Sequence, residues 1–280
     1  MKKNKVIIFV AIIFFIISIG FLIYPSVSNL INQVFSNSTI LNYEKNIESL
    51  SETDKRKYLS KAEEYNKQLA TGYVKGNEAY SFDASDDYKE ILNIDETGQI
   101  GAIEIPKINV NLPIYHGTDD KVLEKGAAHL SSSSFPVGGE STHAVISAHT
   151  AYPTRKFFDD LDKLEKGDIF YITVLDQKLK YKVIDIYIVN PDDSSKIQIV
   201  EGRDLVSLLT CYPYSVNSHR LIVRGERVND ILNNNETVDA SNADSIDDNT
   251  MLIYFCFMLL ILISIIVNRC LIHKREIYNQ

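Results

Sequence analysis

The stretch Val206-Ser207-Leu208-Leu209-Thr210-Cys211, followed after a polar loop by Leu221-Ile222-Val223-Arg224-Gly225, indicates two β-strands. Both runs are rich in apolar and β-branched residues, and the residues between them have the Pro, Asn and Ser content of a loop. Alternation along a strand puts Leu209 and Cys211 on one face. If the two strands are neighbours, Cys211 and Arg220 lie at opposite ends of the loop.

Cys211 is the only one of the three cysteines outside the apolar ends of the chain. No internal disulfide partner is therefore available to it. It is either a buried small hydrophobe or a reactive thiol. A neighbouring Arg220 would favour the thiolate form, and it could instead, or also, hold a carbonyl oxygen that gains negative charge.

Similar short runs precede this pair along the chain. Each is rich in β-branched or aromatic residues and is bounded by turn residues, and the runs are Ile100–Ile105, Leu112–Tyr115, Ala144–Ser147, Ile169–Val174 and Leu179–Val189. With the first two, seven strands and few long helices predict a closed or nearly closed β-barrel. A short helix is expected around Lys156–Leu164.

Both ends of the chain have the composition of membrane spans. Val6–Tyr24 is almost entirely apolar, which is long enough to cross a bilayer, and no A-x-A cleavage pattern follows it. An uncleaved signal anchor is therefore preferred to a cleaved signal peptide. Met251–Val267 is a second apolar run, and its basic flank argues against a soluble core helix. Since basic residues flank both spans on their terminal sides, both termini are expected in the cytoplasm and the middle of the chain outside.

The charge of the exterior part limits its partners. Of the 29 Lys and Arg residues and the 37 Asp and Glu residues, six basic and one acidic residue lie in the terminal flanks. The exterior part is therefore strongly acidic. Such a surface repels phosphate, so nucleic acid is not expected as a partner.

The segments around the barrel differ in character. A polar stalk is expected from Ser26 to about Thr39, a helix over Leu41–Leu69, and an irregular segment from there to Asn93. The Asn, Asp and Ser content of Asn229–Thr250 predicts a flexible tether. The predicted organisation is an anchor at 1–25, a stalk, helix and lid segment at 26–99, a barrel at 100–228, a tether at 229–250, a second span at 251–268 and a tail at 269–280.

A thiol nucleophile needs a group that protonates the leaving amine. His149 is the first choice among the exterior histidines, because it follows the strand Ala144–Ser147 and opens a loop. His129 and His219 stay open as alternatives, as does the possibility that every histidine is an ordinary surface or core residue. One exterior cysteine and scattered histidines do not make a zinc site, and the chain has no Gly-rich phosphate loop. No metal and no cofactor are expected.

An ordered set of motifs gives the chain a family resemblance. Leu209-Thr210-Cys211 with Arg220, and Ser147-Ala148-His149 upstream, resemble a sortase, the cysteine transpeptidase of Gram-positive cell surfaces. The resemblance extends over Ile100–Arg227 and is strongest to pilus-type (class C) members. It rests further on Gly101–Ile108, Asn111–Gly117, Phe135–Gly139 and Asn217–Gly225. A second membrane span at the C-terminus also resembles class C.

The resemblance implies a fold and a reaction. The fold would be mainly β, a closed sortase barrel of about eight strands with short helices, an N-terminal helical and lid segment, and a transmembrane helix at each end. Cys211 would attack the Thr–Gly carbonyl of an LPXTG-like signal, Arg220 would hold the substrate and its oxyanion, and His149 would protonate the departing amine. Thr210 would support the bound substrate. The acceptor would be a lysine of another pilin subunit.

Two departures from the family pattern are visible. Ser207 stands where the family pattern T-L-x-T-C begins with Thr, and it keeps the hydroxyl. Class C enzymes carry a lid with an Asp-Pro-aromatic motif, and no Asp-Pro occurs in Gly76–Asn93. Phe82 and Asp83 are the preferred lid residues, with Asp86 and Asp87 as alternatives.

Other functions fit the same chain less well. A sortase that anchors single proteins to peptidoglycan would use a wall amine in place of the pilin lysine. A membrane-tethered binding module would bury an inert Cys211. A cysteine protease would hydrolyse its substrate even when amines are added.

Overall fold

A computed structural model of the protein describes residues 2–72 and 86–228. The described residues from Asn29 onward form one compact unit, and this unit contains the predicted barrel. Several expected segments lie outside the described residues: the tether 229–250, the second span 251–268, the tail 269–280, and the lid residues Phe82 and Asp83.

The N-terminal part of the chain is helical. α1 (Lys2–Glu48) contains a candidate membrane span with a mean hydropathy of 1.9, and this is the one such helix among the described residues. The polar stalk expected from Ser26 to about Thr39 belongs to this same helix, which corrects that prediction. A second helix, α2 (Glu52–Ala70), begins at Ser51, whose hydroxyl oxygen accepts from the Asp54 amide at 3.1 Å. The single helix expected over Leu41–Leu69 is therefore two helices.

Eight strands form a closed barrel. They are β1 (Gln99–Ile105), β2 (Val110–His116), β3 (Ala127–His129), β4 (Thr142–Ser147), β5 (Ile169–Val174), β6 (Gln177–Val189), β7 (Asp204–Tyr212) and β8 (His219–Arg227). Their order around the barrel is β1-β2-β3-β4-β7-β8-β6-β5. The pairs β2–β3 and β4–β7 are parallel, and the others are antiparallel. The predicted barrel of about eight strands is thus confirmed.

The helices that follow α2 are short. α3 (Asp86–Glu90) precedes β1, and α4 (Asp120–Leu123) lies between β2 and β3. The helix expected around Lys156–Leu164 is only a 3₁₀ turn at Leu161–Lys163. The nearby residues Phe157 and Phe158 are both fully buried. The segment therefore follows the packing of these two rings into the core and does not form a regular helix.

The main core fills the barrel and extends beneath the N-terminal helices. The Tyr43 hydroxyl of α1 donates to the Ile100 carbonyl oxygen at 3.0 Å and accepts from the Leu175 amide at 3.1 Å. On α2, the Asn66 side chain accepts from the Phe135 amide at 2.7 Å and donates to the Phe135 carbonyl oxygen at 3.0 Å. Both helices are therefore fixed to the barrel by buried hydrogen bonds as well as by apolar packing.

A second, smaller apolar cluster lies on the outside of the barrel. It consists of Leu130, Val145, Val189, Ile197, Leu209 and Ile222, all buried. Ile197 belongs to the connection between β6 and β7, which therefore folds over this face of the sheet. Along β7, Leu208 packs in the main core and Leu209 in the outer cluster. Odd-numbered residues at this end of β7 thus face outward.

Candidate functional site

Cys211 lies one residue before the end of β7, on its outward face. The thiol is free and half-buried. Cys211 is paired across the sheet with Arg220, the second residue of β8. The two strands predicted from sequence are therefore neighbours, and Cys211 and Arg220 stand directly opposite each other in their pairing.

Arg220 is held by the loop between the two strands. Its Nη1 donates to the carbonyl oxygens of His219 at 3.1 Å and of Asn217 at 3.4 Å. In residues 2–72 and 86–228, no carboxylate forms an ion pair with it. A guanidinium has five N–H donors, so donors remain that can bind a substrate carbonyl or an oxyanion.

His149 follows the end of β4, and β4 runs parallel to β7. Ser147 is paired with Leu209, and the next amide, that of Ala148, donates to the Leu209 carbonyl oxygen at 3.1 Å. Continuing this register by two positions places His149 beside Cys211. The register therefore predicts that His149, two residues past the end of β4, lies next to Cys211 on β7, which is paired with Arg220 on β8. These three residues are called the row below.

Thr210 connects two of these strands. Its side chain is only 4% exposed, and its hydroxyl donates to the Ala148 carbonyl oxygen at 2.8 Å. The sequence-based expectation gave Thr210 a supporting contact with the substrate. The hydroxyl donates its proton to the residue before His149, so Thr210 also fixes the position of that residue.

Three other histidines are buried away from this row. His129 donates to the Ser134 carbonyl oxygen at 2.8 Å and contacts the Tyr88 hydroxyl at 2.7 Å, and burial lowers its pKa to about 3. His143 contacts Ser207, and burial lowers its pKa to about 4. His116 is also buried, which lowers its pKa. Of the alternatives considered from sequence, His129 thus has no access to a substrate, since it is fully buried.

His219 is near Cys211 but on the other face of the sheet. It is paired with Tyr212, and its Nδ1 lies 2.8 Å from the Ser218 hydroxyl. Strand alternation directs its side chain away from the face that carries Arg220. Of the five histidines among the described residues, His149 is therefore the one that the extended register brings next to the thiol.

Ser207, the residue that departs from the family pattern, is also committed. Its hydroxyl lies 2.8 Å from Nε2 of His143, and Nδ1 of His143 donates to the Gln198 carbonyl oxygen at 2.7 Å. Gln198 belongs to the β6–β7 connection, and Ser207 lies on the strand that carries Cys211. The side chain of His143 therefore links that connection to that strand. Sequence reasoning missed this bond, because it joins residues far apart along the chain.

A cavity of about 790 Å³ does not coincide with the row. It is bounded by the C-terminal half of α2, by Leu130–Ser133, by Gly138–His143 and by Ser194–Glu201. It therefore lies at the His143 end of β4, and His149 is at the other end. Among the described residues, no group of three or more His, Cys, Asp or Glu side chains is arranged to hold a metal ion.

Comparisons with known proteins converge on one family. A family model described as "Sortase domain" matches residues 103–228. Sortase D of Bacillus subtilis is 38% identical over 137 residues, which are 48% of this chain and 66% of that protein. The structure of Clostridium perfringens sortase C with the C-terminal cell wall sorting motif is 42% identical, with a TM-score of 0.61, and the match covers 69% of this chain and 98% of that one.

A further solved structure extends the likeness to a pilin-related enzyme. Sortase C of Streptococcus pneumoniae, whose structure is described as informative on catalysis and pilin substrate specificity, is 38% identical with a TM-score of 0.63. That match covers 69% of this chain and 97% of the other. The fold described above is thus similar to class C sortases over almost their whole solved length.

Proposed function

Because the chain belongs to the sortase family of cysteine transpeptidases, we propose that it cleaves an LPXTG-like sorting signal between Thr and Gly and joins the new acyl group to a lysine of another pilin subunit. Repetition of this step would build an isopeptide-linked pilus. The observation that carries the proposal is the pairing of Cys211 with Arg220 between β7 and β8, beside the end of β4 that leads to His149.

The row supports a two-step acyl transfer. The Cys211 thiolate attacks the Thr carbonyl carbon, and Arg220 binds the oxygen that becomes negative. The C–N bond then breaks while His149, as imidazolium, donates a proton to the departing Gly amine. The product of this step is a thioester on Cys211. His149 next takes a proton from the incoming lysine amine, which attacks the thioester carbon and releases the thiolate.

Pilin lysine is the preferred acceptor because the solved relatives are class C enzymes. The structure of the Streptococcus pneumoniae relative was described as informative on pilin substrate specificity. The alternative acceptor is a peptidoglycan amine, as in a sortase that anchors single proteins to the wall. The chemistry at Cys211 would be the same for both acceptors, so only the identity of the product distinguishes them.

We propose that the enzyme acts at the outer face of the membrane. The candidate span in α1 supports an N-terminal anchor. The apolar run 251–268 and the basic residues beyond it support a second crossing, with both termini in the cytoplasm. The tether 229–250 would join the barrel to that second span. Phe82 and Asp83 would form a lid over the site.

The first experiment detects the thioester. Full-length protein in detergent is incubated with an LPXTG-like peptide, and the intact mass is measured. A thioacyl adduct is expected, and Cys211→Ala should lack it. His149→Ala and Arg220→Ala should form it only weakly, while His219→Ala, a nearby histidine on the other face, serves as the matched control. Absence of an adduct with any sorting peptide contradicts the proposal.

The second experiment identifies the acceptor. The enzyme is incubated with a purified pilin that carries a sorting signal, and an SDS-resistant ladder is expected. The ladder should disappear when the acceptor lysine of the pilin is replaced by Arg. Coupling only to peptidoglycan amines would identify a wall-anchoring enzyme. Hydrolysis that added amines do not divert would identify a protease.

A further inference from the structure

The loop after His149 has a fixed shape. Asp159 accepts from the amides of Ala151 at 2.9 Å and of Phe157 at 2.8 Å, and the Phe158 amide donates to the His149 carbonyl oxygen at 3.0 Å. These bonds close residues 149–159 into one compact unit, which we call the histidine loop. Its position as a whole therefore determines where the backbone of His149 lies.

The imidazole ring of His149 packs on side chains of the same loop. It is stacked on Tyr152, with ring centroids 5.3 Å apart and planes 14° apart. Phe157 lies 6.3 Å from the imidazole and 5.7 Å from Tyr152. Phe157 is fully buried. Movement of the histidine loop would therefore carry the imidazole with it.

One face of α1 is hydrogen-bonded to this loop. The Asn32 amide donates to the Thr154 carbonyl oxygen at 2.7 Å, and its oxygen accepts from Arg155 Nη2 at 3.1 Å. The Asn29 side-chain oxygen accepts from the Lys156 amide at 3.2 Å. Residues three apart lie on the same helix face, so both side chains meet the loop together.

Arg155 extends the connection to the ring side of the loop. Its guanidinium lies 5.4 Å from the centroid of Phe157, the ring that also contacts His149. Its Nη1 donates to the carbonyl oxygens of Lys125 at 2.6 Å and Glu124 at 3.2 Å. Arg155 is therefore held on three sides: by α1, by the end of α4 and by the aromatic ring.

We infer that Asn29 and Asn32 are positioning residues for His149, so that the helix continuing from the membrane anchor holds the proton-transferring group beside Cys211. This inference rests on the proposed function for the role of His149. Proton transfer requires hydrogen-bond reach between donor and acceptor, and small misplacements of a catalytic group are costly. The two asparagines contact neither Cys211 nor Arg220, so they act through the loop alone.

The kinetic test compares full-length variants with a sorting peptide and an amine acceptor. The double substitution Asn29→Ala/Asn32→Ala should lower kcat about tenfold, with KM changed less than about twofold. Asn37→Ala is the matched control, because Asn37 lies on the same helix and accepts from Asn111 of β2 at 3.1 Å, a hydrogen bond that does not involve the histidine loop. Asn32→Asp keeps an oxygen that can accept from Arg155, so its kcat should lie above that of the double-alanine variant. An equal loss of kcat in Asn37→Ala overturns the inference.

A spectroscopic test does not depend on transpeptidation. The imidazole resonances of His149 are recorded in histidine-labelled full-length protein, with His149→Gln used for assignment. The double substitution should shift the His149 resonance and leave that of buried His129 unchanged, and Asn37→Ala should shift neither. An unchanged His149 resonance overturns the inference. A shifted resonance in a protein that forms no thioester supports the positioning contact and contradicts only the proposed reaction.

Discussion

The hydroxyl of Thr210 donates a buried hydrogen bond of 2.8 Å to the carbonyl oxygen of Ala148. Each residue is the immediate neighbour of a proposed catalytic group, since Cys211 follows Thr210 and His149 follows Ala148. The thiol and the imidazole are therefore connected through the main chain and one hydroxyl, without a direct contact between their own side chains being required.

Replacing Thr210 by Val keeps the shape of the side chain and removes this donor. The Ala148 carbonyl oxygen would lose its partner, which costs about 1–3 kcal/mol in a buried position. We expect a loss of unfolding free energy in that range and a lower kcat, and Thr210→Ser should restore both. Urea denaturation and steady-state kinetics measure the two effects. A Val variant that matches the native protein in both would contradict the positioning role of the hydroxyl.

Tyr43 gives a prediction about how α1 is attached to the barrel. Tyr43→Phe removes the hydroxyl that bridges the Ile100 carbonyl oxygen and the Leu175 amide. Two buried backbone groups would lose their partner, so we expect the free energy of unfolding to fall by about 2–4 kcal/mol. Tyr214→Phe, at a side chain 61% exposed, should change it by less than about 0.5 kcal/mol. Similar urea midpoints for the two variants would rule out the bridge as a stabilising contact.

The buried histidines predict loss of stability in mild acid. The pKa of His143 is about 4 and that of His129 about 3, both below the ordinary value of 6.5, because burial disfavours the imidazolium. The unfolded chain therefore binds protons first as the pH falls. Stability should be fully present above about pH 6.5. As the pH falls below this value, it should decrease toward about pH 4 for His143 and toward about pH 3 for His129, by about 1.4 kcal/mol per unit of pKa difference.

Urea denaturation at several pH values measures this slope. His143→Gln is the informative variant, since an amide can replace both hydrogen bonds but does not titrate. Its unfolding free energy should depend less steeply on pH between about 6.5 and 4. An unchanged slope would mean that His143 is not responsible for the loss.

The lid prediction concerns access to the thiol. If Asp83 holds a lid over the site, Asp83→Ala should raise the rate at which a thiol reagent labels Cys211. Cys211→Ala is the control for labelling elsewhere. An unchanged rate would move the role to Asp86 or Asp87, or remove it.

Strand prediction from this sequence succeeded where a run of apolar and β-branched residues lies between turn residues. The strands β7 and β8 were recognised in this way, and the observed register places Cys211 opposite Arg220 as expected. β3 was missed, since Ala127–His129 is three residues long and has no β-branched side chain. The row at the site also depends on the parallel pairing of β4 with β7, which local sequence does not reveal.

The expected start of the helix at Leu41 was wrong, because α1 already includes the polar stalk. The Asn and Ser residues of the stalk have low helix propensity. In the folded protein, Asn32 and Asn37 find partners on the barrel. Hydrogen bonds to residues far along the chain thus compensate for the low helix propensity of the stalk. The sequence of the stalk alone does not indicate which residues will form these hydrogen bonds.

The continuity of α1 from Lys2 to Glu48 has a consequence for how the enzyme could be shed from a cell surface. Tyr43 and Ile47 are part of the barrel's core, and Asn29 lies only five residues after the apolar run that ends at Tyr24. A protease cutting between Tyr43 and Ile47 would separate the barrel from the Tyr43 side chain, which packs in its core and bridges Ile100 and Leu175. Such a cut would therefore remove a part of the barrel's own core.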